Sequence, residues 1–420
     1  MTQLAQTGLS LEEAVEAVVR NVVPLGVEHV SLVQAIGRAL AEPMTSPIDL
    51  PLCDNSGMDG YALRRAEVLG ASIANPIVLP VLATIVAGGT ERPTIIEGSC
   101  ARIMTGAPIP PGADAVVRVE DTDRGVRSVR ITDDRDARSP TGNVRARGED
   151  MRTGDIVFDA GTTLGPAHIG VLSSIGAALV PVFRLPRVVL VATGDELVGV
   201  ELFDEVRAGR RIVASTSYAL PPWLTAVGAT VRTLPLLPDK LDVVRDSIAA
   251  ALDEGCDLLM TTGGVSVGAH DYTREALKQL GAELVFWRAR IRPGGPIGVG
   301  MVRGIPWLGL PGNPVSTMVT AELFARPLLR RLGGHATDGH LTLRVRVAQS
   351  MKAGGGLTHL LRVNVARAID GTLEARAAGA QGSNLLRTLA VANALMIVPE
   401  DRTTADVGDF FDALIIGELQ

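Results

Sequence analysis

The pattern that most constrains the fold is a regular alternation of apolar runs and helical spacing between residues 187 and 332. Residues 188–192 are all aliphatic and residues 257–261 are mostly apolar, which is typical of buried strands. We predict further strands at 230–236 and 283–287, and helices at 217–227, 240–252, 272–280 and after Asn313. Asp239 stands at the N-cap position of the second helix. This alternation predicts a parallel sheet with helices on both faces.

The rest of the chain indicates additional domains, since 420 residues exceed the size at which one core usually stops growing. Ser10 and Glu13 have the spacing of a capping box, and another helix is predicted to begin at Pro166. Short β-branched runs cut by glycine and proline predict β domains in two places. We predict an extended N-terminal linker domain of 1–45 with 147–185, an inserted mostly β domain of 46–146, the α/β domain of 186–335 and a C-terminal β domain of 336–420.

Composition and charge exclude several classes of protein. A formal net charge of −6 without a long Lys/Arg run lacks the basic surface of a nucleic-acid-binding protein. The three cysteines, Cys53, Cys100 and Cys256, are too far apart for a zinc motif or a disulfide framework. We find neither a signal-peptide pattern nor an apolar stretch long enough to span a membrane. We therefore expect a cytoplasmic protein that binds neither nucleic acid nor membranes.

Polar segments follow the predicted strands, and in open α/β sheets ligands bind at the carboxyl ends of strands. The first segment is TGDEL at 193–197, which contains Thr193, Gly194 and Glu196. Carboxylates in such a loop suit a hard cation such as Mg²⁺. The same pattern is also typical of a turn followed by an acidic helix start, so the segment alone does not decide between the two.

The second segment, TTGGVS at 261–266, is followed by Asp271. Its paired glycines, Gly263 and Gly264, let backbone N–H groups approach phosphate oxygens, and Thr262 and Ser266 add hydroxyl donors. A glycine pair is also common in ordinary crossover loops. Asp271 has two interpretations that the sequence leaves open, a helix N-cap and a ligand.

The third segment is LPGNPVS at 310–316, where Pro311 and Pro314 stiffen a turn around Gly312 and Asn313 that opens a long helix. Upstream, arginines alternate at Arg288, Arg290 and Arg292. Alternate residues of a strand share a face, so these guanidiniums are predicted to converge and to bind an oxyanion. A solvated strand edge is the alternative.

The seven segments that carry the clearest motifs, taken in order, resemble the MoeA and gephyrin E-domain family over essentially the whole chain. They are DNSGMDGYA (54–62), RIMTGAP (102–108), RGED (147–150), TGDEL (193–197), TGGVSVG (262–268), LPGNPVS (310–316) and QGS (381–383). Most of them, taken singly, have an ordinary structural explanation. The ordered set is far more specific.

This resemblance implies a multidomain α/β and β architecture. Its α/β domain would resemble the molybdopterin adenylyltransferase fold, its C-terminal domain would be a small β-barrel, and the active cleft would lie between two subunits of a homodimer. The positions that the resemblance marks as functional are Asp59, Thr105, Asp150, Glu196, Asp239, Asp271, Pro311, Pro314 and Ser383. Family lysines stand where this sequence has Arg288 and Arg292.

The implied reaction is the attack of molybdate on adenylyl-molybdopterin, with release of AMP and transfer of molybdenum to the dithiolene. Mg²⁺ held by Glu196 and Asp271 would neutralise phosphate charge. The arginines would hold molybdate, and residues 262–266 would cradle the nucleotide phosphate. The molybdopterin adenylyltransferase and apo-molybdoenzymes are the implied protein partners.

The sequence departs from the family pattern at the basic loop, where Gly295 replaces a common lysine, and at Ala269, whose position is often acidic. Two alternatives therefore stay open beside the molybdenumtransferase. One is a divergent paralogue that uses tungstate or another pterin nucleotide. The other is a binding or scaffold protein without catalysis, against which the retained carboxylates Asp59, Glu196 and Asp271 argue.

Overall fold

The structure, a computed structural model, describes residues 6–264 and 272–419. The α-helices are α1 (Leu11–Val19), α2 (Arg135–Arg138), α3 (Pro166–Ser174), α4 (Phe203–Arg207), α5 (Ser215–Ala226), α6 (Leu241–Asp253), α7 (Tyr272–Gln279), α8 (Pro314–Thr320), α9 (Arg326–Leu332) and α10 (Leu386–Ala390). A π-helical segment, Ala321–Ala325, joins α8 to α9.

The strands of the first half are β1 (Gln6–Leu9), β2 (Val27–Ser31), β3 (Met44–Thr45), β4 (Asn55–Ser56), β5 (Gly60–Leu63), β6 (Ser72–Ile85), β7 (Cys100–Ile103), β8 (Ala115–Arg118), β9 (Ser128–Asp133), β10 (Val144–Arg145), β11 (Ile156–Phe158), β12 (Leu179–Phe183) and β13 (Arg187–Ala192). Those of the second half are β14 (Leu197–Val198), β15 (Ile212–Val213), β16 (Thr230–Thr233), β17 (Leu258–Thr262), β18 (Glu283–Ala289), β19 (Ile291–Arg292), β20 (Pro296–Val302), β21 (Ile305–Leu310), β22 (Thr342–Val347), β23 (Met351–Lys352), β24 (Thr358–Arg367), β25 (Leu373–Ala377), β26 (Ala394–Val398), β27 (Thr404–Ala405) and β28 (Phe410–Ile415).

The chain forms two compact units. One consists of Met1–Glu42, Gly161–Gly170 and Ala178–Gln420, and the other of Pro43–Ala160 and Val171–Ala177. The second unit contains a five-stranded sheet in the order β8-β5-β7-β6-β9. Tyr61 and Ile131 lie in one buried cluster of this unit, and Ile103 and Val116 lie in another. The predicted inserted β domain is therefore present.

The first unit is built on a seven-stranded sheet in the order β1-β18-β20-β21-β17-β13-β16. Strands β16, β13, β17 and β21 are parallel, as the alternation of strands and helices predicts. Strand β20 is antiparallel to both neighbours, because a short turn joins it to β21 as a hairpin. The sheet is therefore mixed, and it has a buried apolar cluster on each face: α5, α8 and α9 contribute to one, and α6 and α7 to the other.

Of the two helix N-caps predicted from the sequence at Ser10 and Asp239, the structure forms the first and not the second. At α1 the Ser10 N–H donates to Glu13 at 2.8 Å and the Glu13 N–H donates to Ser10 at 3.2 Å, which confirms the capping box. The predicted cap of α6 is wrong, since its N-cap residue is Lys240. Asp239 instead pairs with Asp195: each residue's N–H donates to the other's carboxylate, at 3.2 and 3.4 Å. A tertiary contact has replaced the local cap.

The C-terminal part of the first unit is a small closed β-barrel. Strand β24 pairs with β25 and β26, and the circuit continues through β22 and β28. Strand β19, which comes from the α/β segment, joins this barrel by pairing in parallel with β24. The C-terminal barrel implied by the family resemblance is thus present. No helix in residues 6–264 or 272–419 is long and apolar enough to cross a membrane.

Candidate active site

Three loops meet at the carboxyl edge of the parallel strands. Strands β13, β17 and β21 are adjacent and end together, so the segments that follow them are neighbours. A Cβ on Gly263 would lie 3.0 Å from the Thr193 carbonyl oxygen, and a Cβ on Gly312 would lie 3.7 Å from the Gly263 Cα. Gly263 has φ +81° and little space beside it for a side chain, so the backbones of the three loops pack closely on one another.

The threonines of these loops lie beneath the surface. Thr193 is 7% exposed and Thr262 is 3% exposed. The Thr193 hydroxyl is 3.4 Å from the Thr273 hydroxyl at the start of α7, so it ties the loop to that helix. Ser266 and Asp271, which the sequence places in the same site, lie outside the described residues.

The acidic side chains of the first loop are arranged around the Asp195–Asp239 pair. Glu196 is exposed beside this pair, and in the described part of the chain its carboxylate forms no ion pair. No group of three or more His, Cys, Asp or Glu residues that could hold a metal occurs among residues 6–264 and 272–419. An open carboxylate such as Glu196 fits Mg²⁺, which is usually bound by one or two carboxylates together with substrate phosphates.

The third loop leads into α8, with Asn313 as its N-cap residue and Pro314 at the first helical position. The Thr317 hydroxyl donates to the Pro311 carbonyl at 2.5 Å, which fixes the turn. The Val315 N–H donates to the Ser383 carbonyl at 3.2 Å. Ser383, more than sixty residues further along the chain, is thereby brought to the first turn of α8.

Arg362 holds the loop that carries Ser383, and the sequence analysis missed it. Its side chain is fully buried in β24, and one nitrogen donates to the carbonyls of Ala380 and Gly382 at 2.9 and 3.1 Å. Its backbone N–H donates to the Gln381 side chain at 2.9 Å, and that side chain donates back to the Arg362 carbonyl at 3.0 Å. An arginine within the apolar run LLRVNV was the signal that could have revealed this role.

Arg290 does not take part in the predicted cluster of three alternating arginines. Arg290 donates to both carboxylate oxygens of Glu400 at 3.0 Å and also to the Gly8 carbonyl. These structural contacts occupy its guanidinium, so it is not available to a ligand. Arg288 lies in β18 and Arg292 in β19, which belong to different sheets. Both are exposed, and neither forms an ion pair with the residues that the structure describes. Two cations remain available for an anion.

In the other unit, Asp59 and Thr105 form a pair. The N–H and the hydroxyl of Thr105 each donate to the same Asp59 oxygen at 2.7 Å. These two donors, the backbone one first, lower the pKa of Asp59 below its ordinary value. Asp150 is exposed on a turn that its N–H fixes by donating to the Leu50 carbonyl at 3.0 Å. All three carboxyl and hydroxyl groups are accessible to a ligand.

Comparison with known proteins agrees with this architecture. Residues 9–176 match the family described as the MoeA N-terminal region (domain I and II). Residues 189–331 match the family described as a probable molybdopterin binding domain, and residues 344–416 match the MoeA C-terminal region (domain IV). The fold and the site thus define a multidomain protein built around an α/β pterin-binding domain.

Relatives of known name make the assignment specific. Molybdopterin molybdenumtransferase 2 of Mycobacterium tuberculosis is 37% identical over 89% of this chain and 91% of its own length. The molybdopterin molybdenumtransferase of Bacillus subtilis is 32% identical over 98% of this chain and 95% of its own. The crystal structure of a molybdopterin biosynthesis MoeA protein from Pyrococcus horikoshii superposes with a TM-score of 0.82 at 25% identity, over 98% of this chain and 100% of that one. The chain belongs to the MoeA family of molybdopterin molybdenumtransferases.

Proposed function

We propose that this protein transfers molybdenum from molybdate to adenylyl-molybdopterin with release of AMP. The observation that carries the proposal is the direct backbone contact of three loops at the carboxyl edge of β13, β17 and β21. Ligands bind at this edge in open α/β sheets. Its glycines allow a phosphate to approach the backbone closely. The names of the relatives favour this reaction over a tungstate-using paralogue or a scaffold protein.

In the first unit, different residues bind the pterin nucleotide and molybdate. The glycines of residues 262–264 and the turn at Pro311–Pro314 hold the pterin nucleotide. Arg288 and Arg292, which are exposed and unpaired among the described residues, hold molybdate by bidentate hydrogen bonds. Ser383 borders the turn through its contact with Val315. Two Mo–S bonds to the dithiolene then form as two Mo–O bonds of molybdate break. One of these oxygens replaces the broken phosphoanhydride bond and leaves in the phosphate of AMP, and the other leaves as water with the two thiol protons.

Magnesium is part of the proposal. Glu196, together with Asp271, would hold the ion, and Asp239 would keep the acidic loop in place through Asp195. A bound Mg²⁺ would neutralise the negative charge of the phosphates during AMP release. The protein's own contribution is to hold the loop that carries Glu196 beside Gly263, through the backbone of Thr193.

We also propose that the protein works as a cytoplasmic homodimer. In this arrangement the Asp59–Thr105 pair and Asp150 of one subunit complete the cleft formed by the α/β unit of the other. The pair is accessible, and its hydrogen bonds keep Asp59 ionised at neutral pH. An ionised carboxylate at this place can accept a hydrogen bond or a proton close to the phosphate.

The experiment is to mix the purified protein with adenylyl-molybdopterin, Mg²⁺ and either molybdate or tungstate, and to measure AMP release and the metal retained in the product. We expect AMP release that depends on molybdate and on Mg²⁺. The Asp59→Asn variant should lose most of this activity while Asp155→Asn, a change on an exposed turn of the same unit, should keep it. Release with tungstate alone would contradict the proposal in favour of the paralogue, and no release with either would favour a binding protein.

A further inference from the structure

The two arginines proposed to hold molybdate are supported by different parts of the protein. Arg288 lies in β18, within the seven-stranded sheet, whereas Arg292 lies in the two-residue strand β19. The strand partner of β19 is β24 of the C-terminal barrel, with Arg292 opposite His359. The Thr358 N–H donates to the Arg290 carbonyl at 2.8 Å and fixes the register. The barrel therefore determines where the Arg292 backbone lies.

The side chain of His359 faces the same small space as that of Arg292. His359 is 6% exposed, and its Nε2 accepts the Gly354 N–H at 2.8 Å. A Cβ on Gly354 would lie 3.0 Å from His359 Nε2 and 3.9 Å from Arg292 Nη1. The Gly354 turn, the imidazole and the guanidinium are thus packed together, with no room for a side chain on the turn.

The hydrogen bond defines the protonation state of His359. A backbone N–H can only donate, so Nε2 must carry a lone pair and the imidazole must be neutral. Burial, and then the charge of Arg292, lower the pKa of His359. Opposite His359 on β26 is Val398, which is apolar, and Glu400 beyond it is held by Arg290. Among the described residues, Arg292 is therefore the charged group that faces the ring.

We infer that His359 is a positioning residue for molybdate binding, because it fixes the Gly354 turn against which the Arg292 guanidinium lies. This inference rests on the proposed function only in naming molybdate as the anion. A neutral acceptor at this place holds the turn without repelling the guanidinium. Protonation of Nε2 would break the bond to Gly354 and place a second positive charge beside Arg292.

The test uses three variants of the full-length protein. His359→Leu removes the acceptor and should raise the molybdate KM roughly tenfold while kcat changes little, a size typical of supporting groups around a site. His359→Gln should restore the KM, since its amide oxygen reaches as far as Nε2 and accepts the Gly354 N–H without titrating. His335→Gln is the control, because His335 is a partly buried histidine whose hydrogen bond is to Thr163 and not to the Gly354 turn. This control should leave the KM unchanged.

A pH profile adds a readout that a purely structural role would not move. The wild-type molybdate KM should rise as the pH falls through the lowered pKa of His359, and the His359→Gln profile should be flat over the same range. Equal KM values for wild type and His359→Leu, or identical pH profiles for wild type and His359→Gln, would overturn the inference.

Direct binding separates this inference from the proposed function. Calorimetric titration with tungstate or molybdate measures anion affinity without turnover, and a thermal melt of each variant shows whether it is folded. If the wild type binds the anion and His359→Leu binds it about tenfold more weakly, the inference stands even without AMP release. If AMP is released and the two affinities are equal, the inference alone fails, and a wild type that binds neither anion overturns both.

Discussion

The Arg290 guanidinium donates to both carboxylate oxygens of Glu400 at 3.0 Å, at the point where the chain leaves one sheet for another. The Arg290 N–H donates to Leu9 in β1, and its carbonyl accepts from Thr358 in β24. One residue thus connects the seven-stranded sheet to the C-terminal barrel. Arg288 and Arg292 lie two positions to either side of this connection, so its geometry sets their separation.

Replacement of Glu400 by Gln should loosen this connection. Both side chains of the ion pair are partly exposed, so we expect a loss of only about 1 kcal/mol in the free energy of unfolding. The molybdate KM should nevertheless rise several-fold, because the Arg290 residue whose carbonyl fixes the register of β19 is held less firmly. Glu374→Gln, which breaks a half-buried pair with Arg346 in the same barrel, is the control. If both variants raise the KM equally, the effect of Glu400→Gln is a general effect of weakening the barrel and not one of the contact with Arg290.

Replacement of Gly263 by Ala should separate the three loops. Gly263 has φ +81°, and a Cβ there would lie 3.0 Å from the Thr193 carbonyl oxygen. Gly281 has φ +79° with nothing within 4 Å of its Cβ, so Gly281→Ala has the same backbone cost without the contact. Each variant should lose about 1 to 3 kcal/mol in urea unfolding. Only Gly263→Ala should also lose most AMP release, and equal activities would show that the loop contact is dispensable.

Replacement of Glu196 by Gln should separate a ligand role from a structural one. The carboxylate is exposed and unpaired among the described residues, so its loss should change stability by no more than about 0.5 kcal/mol. If Glu196 holds Mg²⁺, AMP release should fall by one or two orders of magnitude and recover partly at high Mg²⁺. The control is Glu201→Gln, which alters another exposed carboxylate nearby. Unchanged activity and Mg²⁺ dependence would rule out the ligand role.

Replacement of Arg362 by Met should free the Ser383 loop. The change leaves the Ala380 and Gly382 carbonyls without their donor, and we expect a loss of about 2 to 4 kcal/mol in the free energy of unfolding. Hydrogen exchange should quicken at residues 380–383 more than elsewhere in the barrel. Arg367→Met, at the exposed end of the same strand, should cause neither effect. Undisturbed exchange at 380–383 would show that the loop is held by other contacts.

Stability should fall in mild acid because of His335. Burial, and then the charge of Arg330, lower the pKa of His335 from 6.5 to about 4. The unfolded chain therefore takes up a proton at higher pH than the folded protein, so stability is full above pH 6.5 and is lost as the pH falls towards 4.

The expected loss is on the order of 2 kcal/mol, after allowance for the part of the ring that water reaches. It is measured by urea unfolding at several pH values. His335→Gln cannot titrate and should show a shallower dependence, with the remaining slope due partly to His359, whose pKa is lowered as well. Superimposable pH curves for the two proteins would contradict this assignment.

Local sequence patterns were enough for much of the fold and for part of the site. The aliphatic run at 188–192 became β13, the capping box at Ser10 began α1, and the segments after three strands met at one edge. These features depend on neighbours a few residues apart, or on the rule that parallel strands end together. The ordered motifs then pointed to the family, which the relatives confirm.

Contacts between distant residues could not be predicted in this way. The alternation of Arg288, Arg290 and Arg292 predicted that the three side chains share one face of a strand. Arg290 instead forms an ion pair with Glu400, 110 positions away, and the strand is interrupted at this residue. Asp239 has the spacing of a helix cap, yet it is paired with Asp195, 44 positions away. In the sequence, Arg362 is a charged residue in an apolar run with no evident partner. The carbonyls that it binds lie 18 and 20 positions further along the chain. Local periodicity places a side chain on a face of its own element, whereas its partner depends on which elements pack together, and that is settled by the free energy of the whole fold.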